Sequence, residues 1–145
     1  MPDPSPLLSP QKPVEAETRL WTERGFVVDQ WRTLAEDEGV PAEGRVILPV
    51  RRWRTLSASV AASLPALGLG IEVEPHDSLD PETDDLGRLS LIALVFPKFT
   101  DGRAYSTARR LREVWGYRGE LRARGDILLD QMQLMSRCGF DTFEI

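Results

Sequence analysis

From residue 45 onward, apolar runs of strand length alternate with stretches whose apolar residues recur at helical spacing. No other feature of the chain constrains its fold as strongly. Arg45–Val50 reads as a short buried strand, with Pro49 near its end, where a missing N–H costs least. Leu56, Val60 and Leu64 recur every fourth residue and predict a helix over 55–64. Gly70–Glu74 is the next strand, and residues 74–85, with six acids and no lysine or arginine, read as a solvated loop or short helix. Leu89–Phe96 is the most apolar run and suits a central strand buried on both faces. A helix over Arg103–Trp115 closed by Gly116, a strand over Glu120–Arg124, a helix over Asp126–Cys138 and a strand over Thr142–Ile145 complete the pattern. Asp126 stands as the N-cap of its helix and Gly139 as the closing glycine. The expected fold is α/β: a single domain with a mostly parallel sheet of about five strands and crossover helices, partial-barrel or Rossmann-like. At 145 residues the chain is one domain long, and a closed eightfold barrel needs roughly 200 residues or more.

Upstream, Leu20-Trp21 and Phe26-Val27-Val28 flank a turn at Gly25, which predicts a β-hairpin ahead of the sheet. Trp31 and Leu34 follow, then the acidic stretch Glu36-Asp37-Glu38. Five of the 11 prolines fall in the first 13 residues and point to a disordered tail. The expected organisation is a proline-rich tail over 1–16, a hairpin and acidic linker over 17–44, and an α/β domain over 45–145.

One cysteine and one histidine exclude a disulfide framework and four-ligand cysteine or cysteine–histidine zinc sites. No metal site is expected. Net charge of −5 and a pI near 5.0 argue against general nucleic-acid binding. No apolar run reaches the length of a membrane span, and no basic segment followed by an apolar stretch marks an export signal. A cytoplasmic location is the expectation. Dinucleotide, nucleotide and serine-hydrolase loop motifs are all missing, so no cofactor is expected. His76, beside Pro75 in the acidic loop, and Cys138, on the apolar side of the last helix, read as structural.

Ligands in parallel α/β sheets bind off the carboxyl ends of the strands. The loop from Pro97 into the following helix is the best candidate there. Lys98 and Arg103 supply charge, Thr100, Tyr105 and Ser106 hydroxyls, and Gly102 room for close backbone approach at a helix N-terminus. Asp101 reads as a turn or cap residue. Residues 98–124 carry eight bases and three acids, which leaves the rest of the chain at −10. Arg109, Arg110 and Arg112 suit the wet face of a helix. Arg122 and Arg124 share one face of a strand and either pair with acids such as Asp101 and Asp126 or meet a ligand. The candidate ligand-binding set is Lys98, Thr100, Asp101, Gly102, Arg103, Tyr105, Ser106, Arg122 and Asp126; catalytic residues are unknown.

The runs Leu94-Val95-Phe96-Pro97-Lys98-Phe99-Thr100-Asp101-Gly102-Arg103-Ala104-Tyr105-Ser106, Gly119-Glu120-Leu121-Arg122-Ala123 with Gly125-Asp126, and Arg137-Cys138-Gly139-Phe140-Asp141 agree in order and spacing with a known pattern. Through them residues 45–145 resemble domain-of-unknown-function family 934, an uncharacterised bacterial family encoded beside assimilatory sulfite reductase. The resemblance implies a pathway, inorganic sulfur assimilation, and brings no catalytic residues with it.

Two main readings follow, behind which stands a third, an oxidoreductase with a cofactor bound at the strand ends. The first is an accessory or partner protein acting with sulfite reductase or another sulfur-assimilation protein, with Trp21, Trp31 and Trp53 as candidate anchors. The second is a small enzyme or sensor that binds sulfite or sulfate on the 97–106 loop. Whether the chain is an enzyme stays open, leaning against. The last strand has no covering element, and an open parallel edge predicts a homodimer.

Overall fold

The computed structural model describes residues 19–41, 43–56 and 67–145. The expected tail over 1–16 and most of the expected helix over 55–64 lie outside them.

All the strands belong to one sheet. They are β1 (Leu20–Thr22), β2 (Gly25–Val27), β3 (Arg32–Thr33), β4 (Gly44–Pro49), β5 (Leu67–Val73), β6 (Leu91–Phe96), β7 (Glu120–Gly125) and β8 (Thr142–Glu144), in the spatial order β2-β1-β8-β7-β6-β5-β4-β3. From β3 to β8 every strand lies parallel to the next in the sequence. The five anticipated strands are β4 to β8. The sheet is larger because the hairpin pairs antiparallel with β8 instead of standing ahead of the sheet, and because a two-residue β3 adds an edge. A strand order without reversal is that of a barrel segment, not of a doubly wound fold. The architecture is therefore a half-barrel, and the Rossmann-like alternative falls.

Chain length requires the curl. β2 and β3 stand at opposite edges, seven strand spacings apart, which in a flat sheet is about 34 Å. Only residues 28–31 join them, and the five peptide units from Val27 to Arg32 reach at most about 18 Å. The edges must bend toward each other, and residues 28–31 form a strap across the concave side.

The convex side is covered by α1 (Val50–Thr55), by α2 (Arg103–Arg109), whose continuation Arg110–Val114 widens into a π turn, and by α3 (Met132–Arg137). Val50 and Trp53 of α1, Ala104, Ala108 and Leu111, and Met132 and Met135 of α3 pack on Val46, Leu48, Ile71, Ile92, Leu94, Phe96, Leu121 and Phe143 of the sheet in one continuous core. Strand alternation sends Ile47, Leu91 and Ala93 to the concave side, where Trp31 of the strap packs on them. Val95 is only partly buried, but Leu91 and Ala93 are fully enclosed, so most of β6 is covered on both faces, as its unbroken apolar run leads one to expect.

Several local expectations are corrected. Val50, expected to end a strand, opens α1, and Leu56 after that helix is extended; Pro49 ends the strand and leads directly into the helix. Asp126 does not cap the last helix, which begins at Met132 after a 3-10 turn over Leu129–Gln131. The acidic loop is not wholly solvated: Asp84 is buried, held by Arg54 Nε at 2.7 Å and by the Asp80 N–H at 2.8 Å. Burial pushes the Asp84 carboxyl up, but the Arg54 guanidinium and that N–H bring it below its ordinary value. Trp53 is no surface anchor, because it is buried with its indole N–H on the Asp84 carbonyl. Arg112 is no wet-face residue; its guanidinium donates to the carbonyls of Tyr117, Gly119 and Gly139 and to Asp141. The open β8 edge that motivated a homodimer is covered by β1.

Gly125 ends β7 at φ +104, and a side chain there would run into the Phe96 carbonyl. Gly125→Ala is expected to lower stability by more than about 1 kcal/mol. Gly102, at φ −93 with open space where a Cβ would point, should accept alanine within about 0.5 kcal/mol. Urea unfolding of both variants checks the contrast.

Candidate functional site

The carboxyl ends of β6 and β7 form a rim in which two loops are clasped together. The Asp126 N–H donates to the Phe96 carbonyl at 2.7 Å, its carboxylate accepts the Phe99 N–H at 3.2 Å, and Gln131 donates to the Phe99 carbonyl at 3.0 Å. Asp126 thus holds the rim together. Phe99, Leu128 and Leu129 sit on these loops, 42%, 37% and 71% exposed. Lys98, Thr100, Gly102 and Ser106 are exposed beside them.

Asp101 and Arg103 are mutually engaged. The Asp101 carboxylate accepts the Arg103 main-chain N–H at 3.0 Å, which closes an Asx turn. It also accepts the Arg103 guanidinium at 2.6 Å and 3.1 Å. These bonds to Arg103 hold the Asp101 carboxyl down to about 2. The N-terminus of α2 is therefore already faced by a carboxylate of its own chain.

Two members of the candidate set lie elsewhere. Tyr105 packs into the convex core, its ring edge-on to Phe96 with centroids 5.3 Å apart. Its hydroxyl is buried without a hydrogen-bond partner, and burial, then the nearby Cys138, push the phenol up. Arg122 lies on the concave face, three residues short of the end of β7, and is 1% exposed.

The concave face carries an ion cluster. Arg122 Nη1 donates to Asp29 at 3.0 Å and to Glu144 at 3.2 Å, and its Nη2 donates to Glu120 at 3.3 Å. Thr142 donates to the same Glu120 oxygen at 2.8 Å. Arg124 joins Glu72 on β5 at 2.9 Å to Glu144 on β8 at 2.6 Å. Burial works against the charge of Arg124, and Glu144 and Glu72 more than offset it, so its pKa stands above the ordinary arginine value. The anticipated partners Asp101 and Asp126 are not used, because they sit on the rim loops. The actual partners were missed, although a signal was present. Glu120, Arg122 and Arg124 alternate with apolar Leu121 and Ala123, and Glu72 and Glu144 occupy the same face of nearby strands. Asp29 gave no such signal, since the strap has no periodicity.

A shallow groove of about 550 Å³ runs between the hairpin and the amino ends of β7 and β8, lined by residues that include Thr22, Arg24, Glu120 and Thr142. No group of three or more histidines, cysteines and acids that could hold a metal ion occurs among the described residues. No helix among them is long and apolar enough to cross a membrane. His76 is exposed beside Asp77, and Cys138 is buried.

Two outcomes test this geometry. The Asp101 carboxyl should titrate near 2 by NMR and return toward the ordinary value of 3.8 in Arg103→Ala. Any stability that the pair supplies is complete above the ordinary value and fades as the pH falls toward 2. Arg122→Met strands carboxylates on the concave face and should cost roughly 3–5 kcal/mol. Asp29→Asn, at a side chain 35% exposed, should cost no more than about 1 kcal/mol. Equal losses in chemical denaturation would show that Arg122 is no more central to the cluster than Asp29.

Compared with known proteins, residues 70–145 match the family described as bacterial protein of unknown function (DUF934). No curated protein and no solved structure matches the chain.

Proposed function

The chain belongs to the DUF934 family of bacterial proteins, and from that premise we propose that it is an accessory protein of assimilatory sulfite reduction. In this reading it docks on sulfite reductase through the rim at the carboxyl ends of β6 and β7. The pathway is what the residue-level resemblance implies. The docking mode rests on one observation: Phe99, Leu128 and Leu129 stand exposed on loops fixed by Asp126 and Gln131. Apolar side chains on a preorganised backbone lose little entropy on association, which suits them to anchor a partner. Lys98 beside them adds a charge for orientation.

An oxyanion-binding enzyme or sensor on the same loop is the alternative. It receives less support, because Asp101 already faces the helix N-terminus and engages Arg103. The concave cluster also supplies its own counter-ions to Arg122 and Arg124.

Co-purification from sulfate-grown cells tests the proposal. The tagged wild-type chain is expected to retain sulfite reductase, and Phe99→Asp with Leu129→Asp to lose it at least tenfold. Lys98→Ala should weaken capture less. If no sulfite reductase is retained by the wild-type chain, or the doubly substituted chain retains it equally, the docking reading is wrong. Measurable sulfite or sulfate binding by calorimetry, lost in Lys98→Ala, would favour the alternative.

A further inference from the structure

The two edges of the sheet differ in a way that folding does not require. At one edge β3 is only two residues long and polar, and Arg32 pairs with Glu38. Short, charged edges are how folded chains avoid pairing with other strands. At the other edge, β2 and the residue after it present Phe26, Val27 and Val28, which are 52%, 44% and 84% exposed. No charge, proline or bulge interrupts them.

The hairpin register gives this edge a direction. Thr22 and Gly25 close a two-residue turn and form a hydrogen-bonded pair, so the next pair, Trp21 and Phe26, is of the non-hydrogen-bonded kind. The Phe26 N–H and C=O therefore point away from β1, out of the sheet, as those of Val28 do if the strand is extended by one residue.

We propose that this edge pairs antiparallel with the same edge of a second copy of the chain, about a two-fold axis at Val27. In that register Val27 faces its own mate, and Phe26 faces Val28 of the second copy, twice. Aromatic and β-branched residues are favourable cross-strand partners. Phe26 and Val28 exchange main-chain hydrogen bonds across the edge, which is β-augmentation between identical chains.

Charge selects a second copy over an unrelated strand. The apolar triplet has Arg24 on one side and, on the other, Asp29, whose carboxylate also accepts Arg122 Nη1 at 3.0 Å and the Trp31 N–H at 2.9 Å. Antiparallel self-pairing sets the Arg24 end of each copy beside the Asp29 end of the other, whereas parallel pairing would set like charges together. Trp21, edge-on to Phe26 at 4.9 Å, broadens the apolar contact on one side of the sheet.

Sedimentation equilibrium over a wide concentration range tests the proposal, with the full chain. The wild-type mass should rise from one chain to two. Val28→Lys, at a side chain that is almost fully exposed, should weaken association at least tenfold with an unchanged thermal melt. Register is read separately. Val27→Cys should cross-link to its own mate under mild oxidation, because non-hydrogen-bonded pairs bring their Cα atoms within disulfide range, and Phe26→Cys should not. A wild-type chain that stays monomeric overturns the proposal. So does a dimer unaffected by Val28→Lys, or cross-linking at Phe26→Cys without Val27→Cys. None of these outcomes bears on sulfite reductase, whose proposed docking site is the rim formed by the loops after β6 and β7.

Discussion

A guanidinium can be buried on the concave side of a sheet only if carboxylates converge on it as the chain folds. Arg122 meets that condition with Glu120 from its own strand, Glu144 from the neighbouring strand and Asp29 from the strap. Bringing a cation out of water costs several kcal/mol, and good ion-pair geometry offsets the cost without producing a large surplus. What the cluster provides is specificity. It ties β7 to β8 through Glu144 and to the strap through Asp29. Trp31 packs over Ile47, Leu91 and Ala93. A Cβ at Gly68 would meet the Trp31 ring at an ordinary contact distance of 3.5 Å and crowd the Arg45 side chain at 3.1 Å.

The strap also determines which surfaces remain for other molecules. Four residues cannot join the two sheet edges unless the sheet curls, and once they do, the concave side is occupied by the chain itself. The convex side is occupied by α1, α2 and α3. Among the described residues, what is left includes the rim at the carboxyl ends, the groove at the amino ends of β7 and β8, and the edge at β2. The hairpin covers the β8 edge but presents a new edge of its own, so it relocates the open edge without removing it. The proposed partner docking uses the rim and the proposed self-pairing the edge, two different parts of the molecule.

Much of the parallel sheet was legible because strands buried on both faces have no other composition available to them. Leu91–Phe96 could hardly be anything else, and Gly116 and Gly139 mark helix ends at φ +66 and +112. What was not legible depends on distance in space. The curl follows from the strap's length only after the strand order is known. The partners of Arg122 and Arg124 lie up to 93 residues away in the sequence, on strands whose adjacency no local pattern encodes. Asp126 has the residue type of a helix cap, yet it serves the facing loop at Phe99. Of the candidate ligand residues, Lys98, Asp101, Arg103 and Asp126 share the rim as expected. Tyr105 was drawn into the core by its ring, and Arg122 was turned to the concave side by strand alternation.

The account rests on the claim that the rim, and not the concave face, meets a partner. Hydrogen–deuterium exchange of the full chain with and without purified sulfite reductase tests that claim most directly. Exchange is expected to slow only in residues 97–102 and 126–131, with the strap at 28–31 unchanged. Protection of the strap and of β7 with the rim unaffected would contradict it, and would place the functional surface over the Arg122 cluster.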